Sequence, residues 1–121
     1  MASLFRLMQA LLPPAEELGE AWQPPADVYR TRGGWLVKLD LAGVRPEDVQ
    51  LSFSGPHLTV RGMRRDFTAS EDCCCYQMEI SYSRFERRIT LPVSLDAAHI
   101  HAEYHHGMLL VHIDLESEAN V

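Results

Sequence analysis

The chain opens with apolar residues that recur at helical spacing and stop at a pair of prolines. Apolar side chains three or four positions apart share one face of a helix, so this stretch predicts a short N-terminal helix that Pro13 and Pro14 end. The acidic, proline-bounded stretch that follows is interpreted as a linker, and residues 1–25 together form an arm. Because about three turns of helix are unstable alone in water, the arm is expected to dock on its own domain, on a neighbouring subunit or on another protein. Its apolar positions are Leu4, Phe5, Leu7, Met8, Leu11 and Leu12.

From Asp27 onward, apolar and polar residues alternate in short runs that Gly and Pro separate. Such alternation gives each strand one apolar face, and seven or eight strands of this kind predict an all-β, immunoglobulin-like antiparallel β-sandwich. The sandwich is expected over residues 26–114, with a short acidic tail at 115–121. The nearly continuous apolar run from Met108 to Ile113 is either buried on both faces or closes the sandwich. The clearest alternating positions are Trp35, Val37, Leu39 and Leu41, then Val49, Leu51 and Phe53, then Ile100, Ala102 and Tyr104.

Length, composition and charge narrow the functional classes. The chain has 121 residues, of which 46% are apolar and 23% charged, which suits one globular domain. No apolar run approaches the ~20 residues that a membrane span requires, so no membrane partner is expected. The formal charge of −6 repels phosphate backbones, which argues against a nucleic-acid partner. Because the first residues lack the features of a signal peptide, the cytoplasm is the expected compartment.

Four motifs follow one another between residues 26 and 113, and each has a counterpart in one known family. They are Asp40-Leu41-Ala42-Gly43-Val44-x-Pro46-Glu47-Asp48-Val49, Leu58-Thr59-Val60-x-Gly62-x-Arg64, Glu79-x-x-Tyr82-x-x-Phe85-x-Arg87-x-Ile89-x-Leu91-Pro92 and Ala102-x-x-x-x-Gly107-Met108-Leu109. In this order they resemble the motifs of the α-crystallin domain of small heat shock proteins. The long segment from Gly62 to Glu79 is similar in length to that of bacterial and plant members of the family.

The resemblance implies a function and partners. It implies an ATP-independent chaperone, or holdase, that binds partly unfolded client proteins and needs no cofactor. It also implies a homodimer formed by strand exchange through the loop at residues 64–78, with other small heat shock proteins as further partners. The arm and a groove between the Val49–Phe53 strand and the Ile100–Tyr104 strand are the expected client-binding surfaces. The expected dimer-interface residues are Val28, Tyr29, Phe67, Tyr76 and Arg87.

The chain also departs from the family pattern. No I-x-I/V motif follows Ile113 on a flexible linker, since Ile113-Asp114-Leu115 directly continues the last predicted strand. The short arm and the missing motif favour a dimer, or a small assembly of dimers, over a large cage.

Three consecutive cysteines and six histidines are the remaining candidates for chemistry. Cys73, Cys74 and Cys75 fit either free thiols in a reducing compartment or an exposed cluster that crosslinks subunits on oxidation. The residues His99 and His101 share one strand face away from the expected core and lack converging ligands, so no metal site is expected. If the histidines lie near an interface, mild acid would protonate them, and the added charge would weaken that interface.

Two other functional classes stay open at the level of sequence. A co-chaperone or scaffold module of the CS-domain type shares the sandwich fold and would bind one defined partner. A redox or metal sensor would use the cysteines and histidines. No serine lies in a nucleophile elbow and no glycine-rich phosphate-binding loop occurs, so the chain is not expected to be an enzyme.

Overall fold

The computed structural model describes residues 22–68 and 72–115. Within those ranges the chain forms seven β-strands and one short 3₁₀ helix, at Pro46–Asp48. The strands are β1 (Ala26–Arg30), β2 (Gly34–Asp40), β3 (Val49–Ser54), β4 (His57–Met63), β5 (Arg84–Thr90), β6 (His99–His105) and β7 (Met108–Asp114). The predicted helical arm lies outside the described residues.

Two antiparallel sheets build the molecule. The larger has the strand order β1-β2-β7-β6 and the smaller β3-β4-β5. Every pair of neighbouring strands is antiparallel. The predicted all-β sandwich is therefore confirmed, and β1, β6, β3 and β5 are the edge strands of its two sheets.

The core lies between the two sheets and follows the period-two pattern of the sequence. Along β7 the buried positions alternate with half-buried ones, so this strand closes the sandwich with one face and leaves the other partly open. Loops before and after the smaller sheet contribute four further buried side chains. The buried apolar side chains of the core are Val37, Leu39, Leu41, Val44, Leu58, Val60, Phe85, Ile89, Leu91, Leu95, Leu109, Val111 and Ile113.

The turn between β6 and β7 brings the edge strand back against the sheet. Both turn residues have positive φ, 54° at His106 and 80° at Gly107. Two such residues in a row form the tight hairpin turn that matches the twist of paired strands. A Cβ at Gly107 would lie 3.3 Å from the Cα of Ala42, a tight contact, and the positive φ there favours glycine over any residue with a side chain.

The segment just before β1 is joined to the opposite sheet. The backbone N–H of Trp22 donates to the carbonyl of Arg84 (3.1 Å), and the N–H of Glu86 donates to the carbonyl of Trp22 (3.2 Å). These two bonds make a parallel bridge between Trp22 and Phe85, at the free edge of β5. Trp22 is therefore fixed at the start of β5.

Candidate functional site: a groove and an open strand edge

A groove runs between the edge strands β3 and β6, where the two sheets diverge. It has a volume of about 240 Å³. Its lining is mostly aliphatic and aromatic, with one carboxylate at Glu103. Such a lining can bury apolar side chains of an extended peptide but offers no nucleophile or metal ligand set. The lining residues are Pro46, Val49, Leu51, Ala102, Glu103, Tyr104 and Leu109.

Tyr104 fixes one wall of the groove. Its hydroxyl donates a hydrogen bond to the backbone carbonyl of Leu41. Burial raises the pKa of the Tyr104 phenol above its ordinary value, because the charged phenolate is poorly solvated there. The hydroxyl therefore stays protonated and donating at neutral pH.

The structure brings together most of the predicted groove residues. Val49, Leu51 and Tyr104 line the groove, and Ile100 packs against the core at the far end of β6. Phe53 lies outside the lining, with 45% of its surface exposed. Sequence reasoning missed Pro46, Ala102, Glu103 and Leu109, although Ala102 shares the parity of Tyr104 on β6.

The open edge of the larger sheet is β1. Here Val28 and Tyr29 are 44% and 42% exposed, whereas Val37, the neighbour of Val28 on β2, is fully buried. The Lys38 ammonium lies 5.2 Å from the centre of the Tyr29 ring, and its interaction with the Tyr29 hydroxyl raises the pKa of Lys38. No described strand pairs with the outer side of β1, so this edge presents backbone groups together with apolar and cationic side chains.

The loop between β4 and β5 carries a second apolar surface, which we call the apolar stripe. It consists of Tyr76, Met78, Ile80 and Tyr82, which alternate with polar residues and are all exposed. Tyr76 is fully exposed. Residues 72–83 form no strand within this chain, although their alternation is that of a strand with one apolar face.

Two other predicted interface residues have contacts within the chain. Phe67 is 58% exposed, and the guanidinium carbon of Arg45 lies 4.7 Å from the centre of the Phe67 ring. Arg87 is half-buried, and its Nη1 donates to the carbonyl of Pro24 at 3.0 Å. Arg87 thus holds the segment that leads into β1, next to the open edge.

The cysteines and histidines lie at the surface. Cys73, Cys74 and Cys75 are free and exposed. His101 and His112 stack across β6 and β7 with ring centres 4.5 Å apart, and Nε2 of His112 lies 2.7 Å from a carboxylate oxygen of Glu103. Among residues 22–68 and 72–115, no group of three or more His, Cys, Asp or Glu side chains is arranged to hold a metal ion.

The predicted arm residues, Leu4 to Leu12, lie outside the described part of the chain. Within the part that is described, no helix has the length and apolar character needed to cross a membrane.

Sequence reasoning also missed the arginine contacts around Trp22 and Asp48. The Arg64 guanidinium lies 3.8 Å from the centre of the Trp22 ring, and Phe85 meets the same ring edge-on at 5.6 Å. Nearby, the buried carboxylate of Asp48 accepts from Arg45 at 3.1 Å and from Arg65 at 3.2 Å. The periodicity of the sequence does not indicate the contacts of Trp22 with Arg64 and Phe85, because they join residues far apart in the chain, whereas Arg45 and Asp48 are only three residues apart.

Comparison with known proteins gives one consistent result. Residues 27–120 match the family described as Hsp20/alpha crystallin. Spore protein SP21 of Stigmatella aurantiaca is 30% identical over 89 residues, which are 74% of this chain and 53% of that protein. The chain spans between 53% and 59% of the length of the first curated relatives that it matches.

Solved structures agree with this. Heat shock protein 16.0 from Schizosaccharomyces pombe superimposes with a TM-score of 0.70 and 29% identity, covering 78% of this chain and 87% of that one. A small heat-shock protein from Xylella fastidiosa, described as having a distinct high order structure, gives a TM-score of 0.65 and 27% identity over 79% of this chain and 88% of that one. On its sequence motifs, its sandwich and these matches, the chain belongs to the Hsp20/alpha-crystallin family of small heat shock proteins.

Proposed function

We propose that this chain is an ATP-independent holdase that binds partly unfolded proteins through apolar surface. The observation that carries the proposal is the amount of apolar surface left open on an otherwise well-packed sandwich: the β3–β6 groove and four exposed side chains of the apolar stripe. Covering apolar surface contributes about 25 cal/mol per Å², so a few hundred Å² of contact is enough to slow aggregation without any chemical step. The family supports a chaperone role.

The working unit is a homodimer in which the apolar stripe of one copy pairs with β1 of the other. Two observations support this pairing. The stripe has the alternation of a strand but no partner strand among the described residues, and β1 has an unpaired edge with exposed Val28 and Tyr29. Strand exchange would give the stripe a partner strand and would pair the edge of β1. It would also cover an edge that could otherwise pair with other chains. The exchanged segment, predicted at residues 64–78, extends on this basis to Tyr82.

Clients and other small heat shock proteins would meet the chain at the groove. An extended segment with alternating apolar residues fits between β3 and β6, where Leu51 and Tyr104 form opposite walls. The arm's apolar residues would supply a second client surface. The negative overall charge would keep loaded complexes in solution.

Light scattering from a heated client tests the proposal. Citrate synthase is warmed without nucleotide, alone or with the full chain, and the expected result is a delayed and smaller rise in scattering. The double variant Leu51→Ser/Ala102→Glu, which places polar groups in the groove, is expected to protect less. Ser52→Glu lies on the same strand with its side chain outside the groove lining, and this control should protect as the wild type does.

Unchanged aggregation in the presence of excess wild-type chain would contradict the holdase proposal. That result, together with capture of one defined partner protein, would favour the CS-type co-chaperone instead.

A further inference from the structure

The loop that carries the apolar stripe is held at its second end by one arginine. Arg64 directly follows β4, and its backbone N–H donates to the carbonyl of Ser83 (3.0 Å), just before β5. Its side-chain Nε donates to the carbonyl of Ser81 at 2.8 Å. One residue thus binds the backbone on both sides of Tyr82, the last member of the stripe.

The rest of the Arg64 side chain is bound to the sandwich. Its Nη1 donates to the carbonyl of Ala42 at 3.0 Å, in the connection between β2 and β3. Its guanidinium carbon lies 3.8 Å from the centre of the Trp22 ring, and the backbone of Trp22 is itself bonded to β5. Because the donors of a guanidinium point in fixed directions within one plane, these contacts define where Ser81 lies relative to the sandwich.

The first end of the loop is held by the next residue, Arg65. Its Nε and Nη2 donate to the two carboxylate oxygens of Asp48, at 3.2 and 3.4 Å. Asp48 is 3% exposed and also accepts from Arg45 at 3.1 Å. The guanidinium carbon of Arg45 lies 4.7 Å from the centre of the Phe67 ring, so the same cluster contacts the loop two residues further on. A buried carboxylate with two guanidinium partners is a firmer anchor than an exposed ion pair.

The stripe stays exposed although its base is fixed. Ile80 and Tyr82, which flank Ser81, are 55% and 37% exposed. The backbone between them is nevertheless bound to Arg64. Holding a segment in place before it binds lowers the conformational entropy that association must otherwise remove. The arginine contacts therefore prepare these two side chains for a partner.

We propose that Arg64 and Arg65 are positioning residues for dimerisation, which fix both ends of the loop so that the apolar stripe is presented to β1 of a second copy. This inference rests on the proposed exchange of the stripe and adds the residues that orient it. Both arginines make their contacts within one chain, so they act on the free chain and set the rate of association. The contacts of Ile80 are made only in the dimer, so they set the rate of dissociation.

Dimer affinity and subunit exchange together test this role. Sedimentation equilibrium gives the dissociation constant, and native mass spectrometry of mixed isotope-labelled and unlabelled chains gives the dissociation rate. Arg64→Gln is expected to raise the dissociation constant about tenfold, the effect of freeing the backbone of about one residue. Its dissociation rate should stay within about twofold of the wild-type value, because the loss lies in association.

Arg65→Gln is the second variant, and it leaves the contact between Arg64 and Trp22 in place. It should act in the same direction, and it decides the test if Arg64→Gln does not fold. Arg88→Gln is the matched control, because it removes the same charge from an exposed position on β5. It should change neither the dissociation constant nor the dissociation rate.

The positioning role is wrong if the arginine variants keep the wild-type dissociation constant, or if their dimers weaken through faster dissociation. The variant Ile80→Ser separates this failure from a failure of the proposed pairing. A dimer weakened by Ile80→Ser but not by the arginine variants would refute the positioning role alone. If Ile80→Ser leaves the dissociation constant unchanged, the stripe is not in the interface and both proposals are wrong.

Discussion

The interior of the sandwich and the apolar stripe carry the same pattern in sequence and opposite burial in structure. On β7, Leu109, Val111 and Ile113 alternate with outward residues and are 6%, 0% and 2% exposed. In the loop, Met78 and Ile80 alternate in the same way and are 58% and 55% exposed. The period of apolar residues therefore favours a strand with one apolar face in both places, but among the described residues only β7 has partner strands. This difference is why we propose that the apolar stripe pairs with a second copy of the chain.

The largest expected effect is a loss of folding stability when a buried aromatic residue, rather than an exposed one, is truncated. Phe85→Ala removes a side chain that is 1% exposed and packs against Trp22, so it should lower the free energy of unfolding by about 3–5 kcal/mol. Phe53→Ala, at a position 45% exposed, should lower it by less than about 1 kcal/mol. Urea titrations of both variants measure the two values. If both variants lost a similar free energy of unfolding, burial in the core between the two sheets would not be what stabilises the protein.

The next prediction concerns the apolar stripe alone. Ile80→Ser should weaken the dimer roughly 10- to 100-fold, because burying an isoleucine contributes about 1.5–3 kcal/mol to an interface that covers it. It should leave the unfolding of the sandwich nearly unchanged, since Ile80 is exposed within the single chain. Sedimentation equilibrium over a range of concentrations measures the dissociation constant.

Gln77→Ser is the matched control for this stripe variant, because Gln77 alternates with the stripe residues and, among the described residues, its side chain forms a hydrogen bond only with nearby Glu79. If the Ile80→Ser variant formed a dimer with the same dissociation constant as the wild type, the apolar stripe would not be part of the interface.

The groove gives a prediction in alkaline solution. The raised pKa of Tyr104 means that the folded state holds this proton more tightly than the unfolded state, whose tyrosine pKa is about 10. The Tyr104 hydroxyl therefore contributes its full stability below pH ~10, and this contribution is lost as the pH rises through the higher folded-state value. Thermal melts between pH 7 and 11 measure the loss.

Tyr104→Phe provides the comparison. It should lower the free energy of unfolding by about 1 kcal/mol at neutral pH, because the hydrogen bond to the Leu41 carbonyl is gone. It should also reduce the alkaline loss. Equal alkaline losses in the two proteins would show that Tyr104 does not titrate as described.

The smallest expected effect is at the thiols. Cys73, Cys74 and Cys75 are exposed and free, just before the apolar stripe, so two chains treated with peroxide should form an intermolecular disulfide, with two thiols oxidised and the peroxide reduced to two waters. Non-reducing electrophoresis should detect the crosslinked dimer, and replacement of all three cysteines by serine should abolish it. The redox hypothesis is wrong if peroxide leaves the wild-type band as a monomer.

The sequence predicted the sandwich because its pattern is local. Alternating residues such as Val37 and Leu39 indicate the buried face of a strand within a few positions, and Gly107 indicates a turn. The groove was predicted only in part, since Ala102 and Leu109 reach it through the pairing of β6 with β7 and not through any local pattern. The burial of Arg84, whose Nε and Nη1 have no hydrogen-bond partner among the described residues, could not be predicted at all, because it depends on how distant segments pack.

Native mass measurement, with and without a heat-destabilised client, tests the central claim most directly. The claim predicts a dimer or multiples of a dimer of the 13.7 kDa chain on its own, and larger complexes that contain client after warming. A 13.7 kDa monomer under both conditions, with the client lost to precipitation, would contradict it.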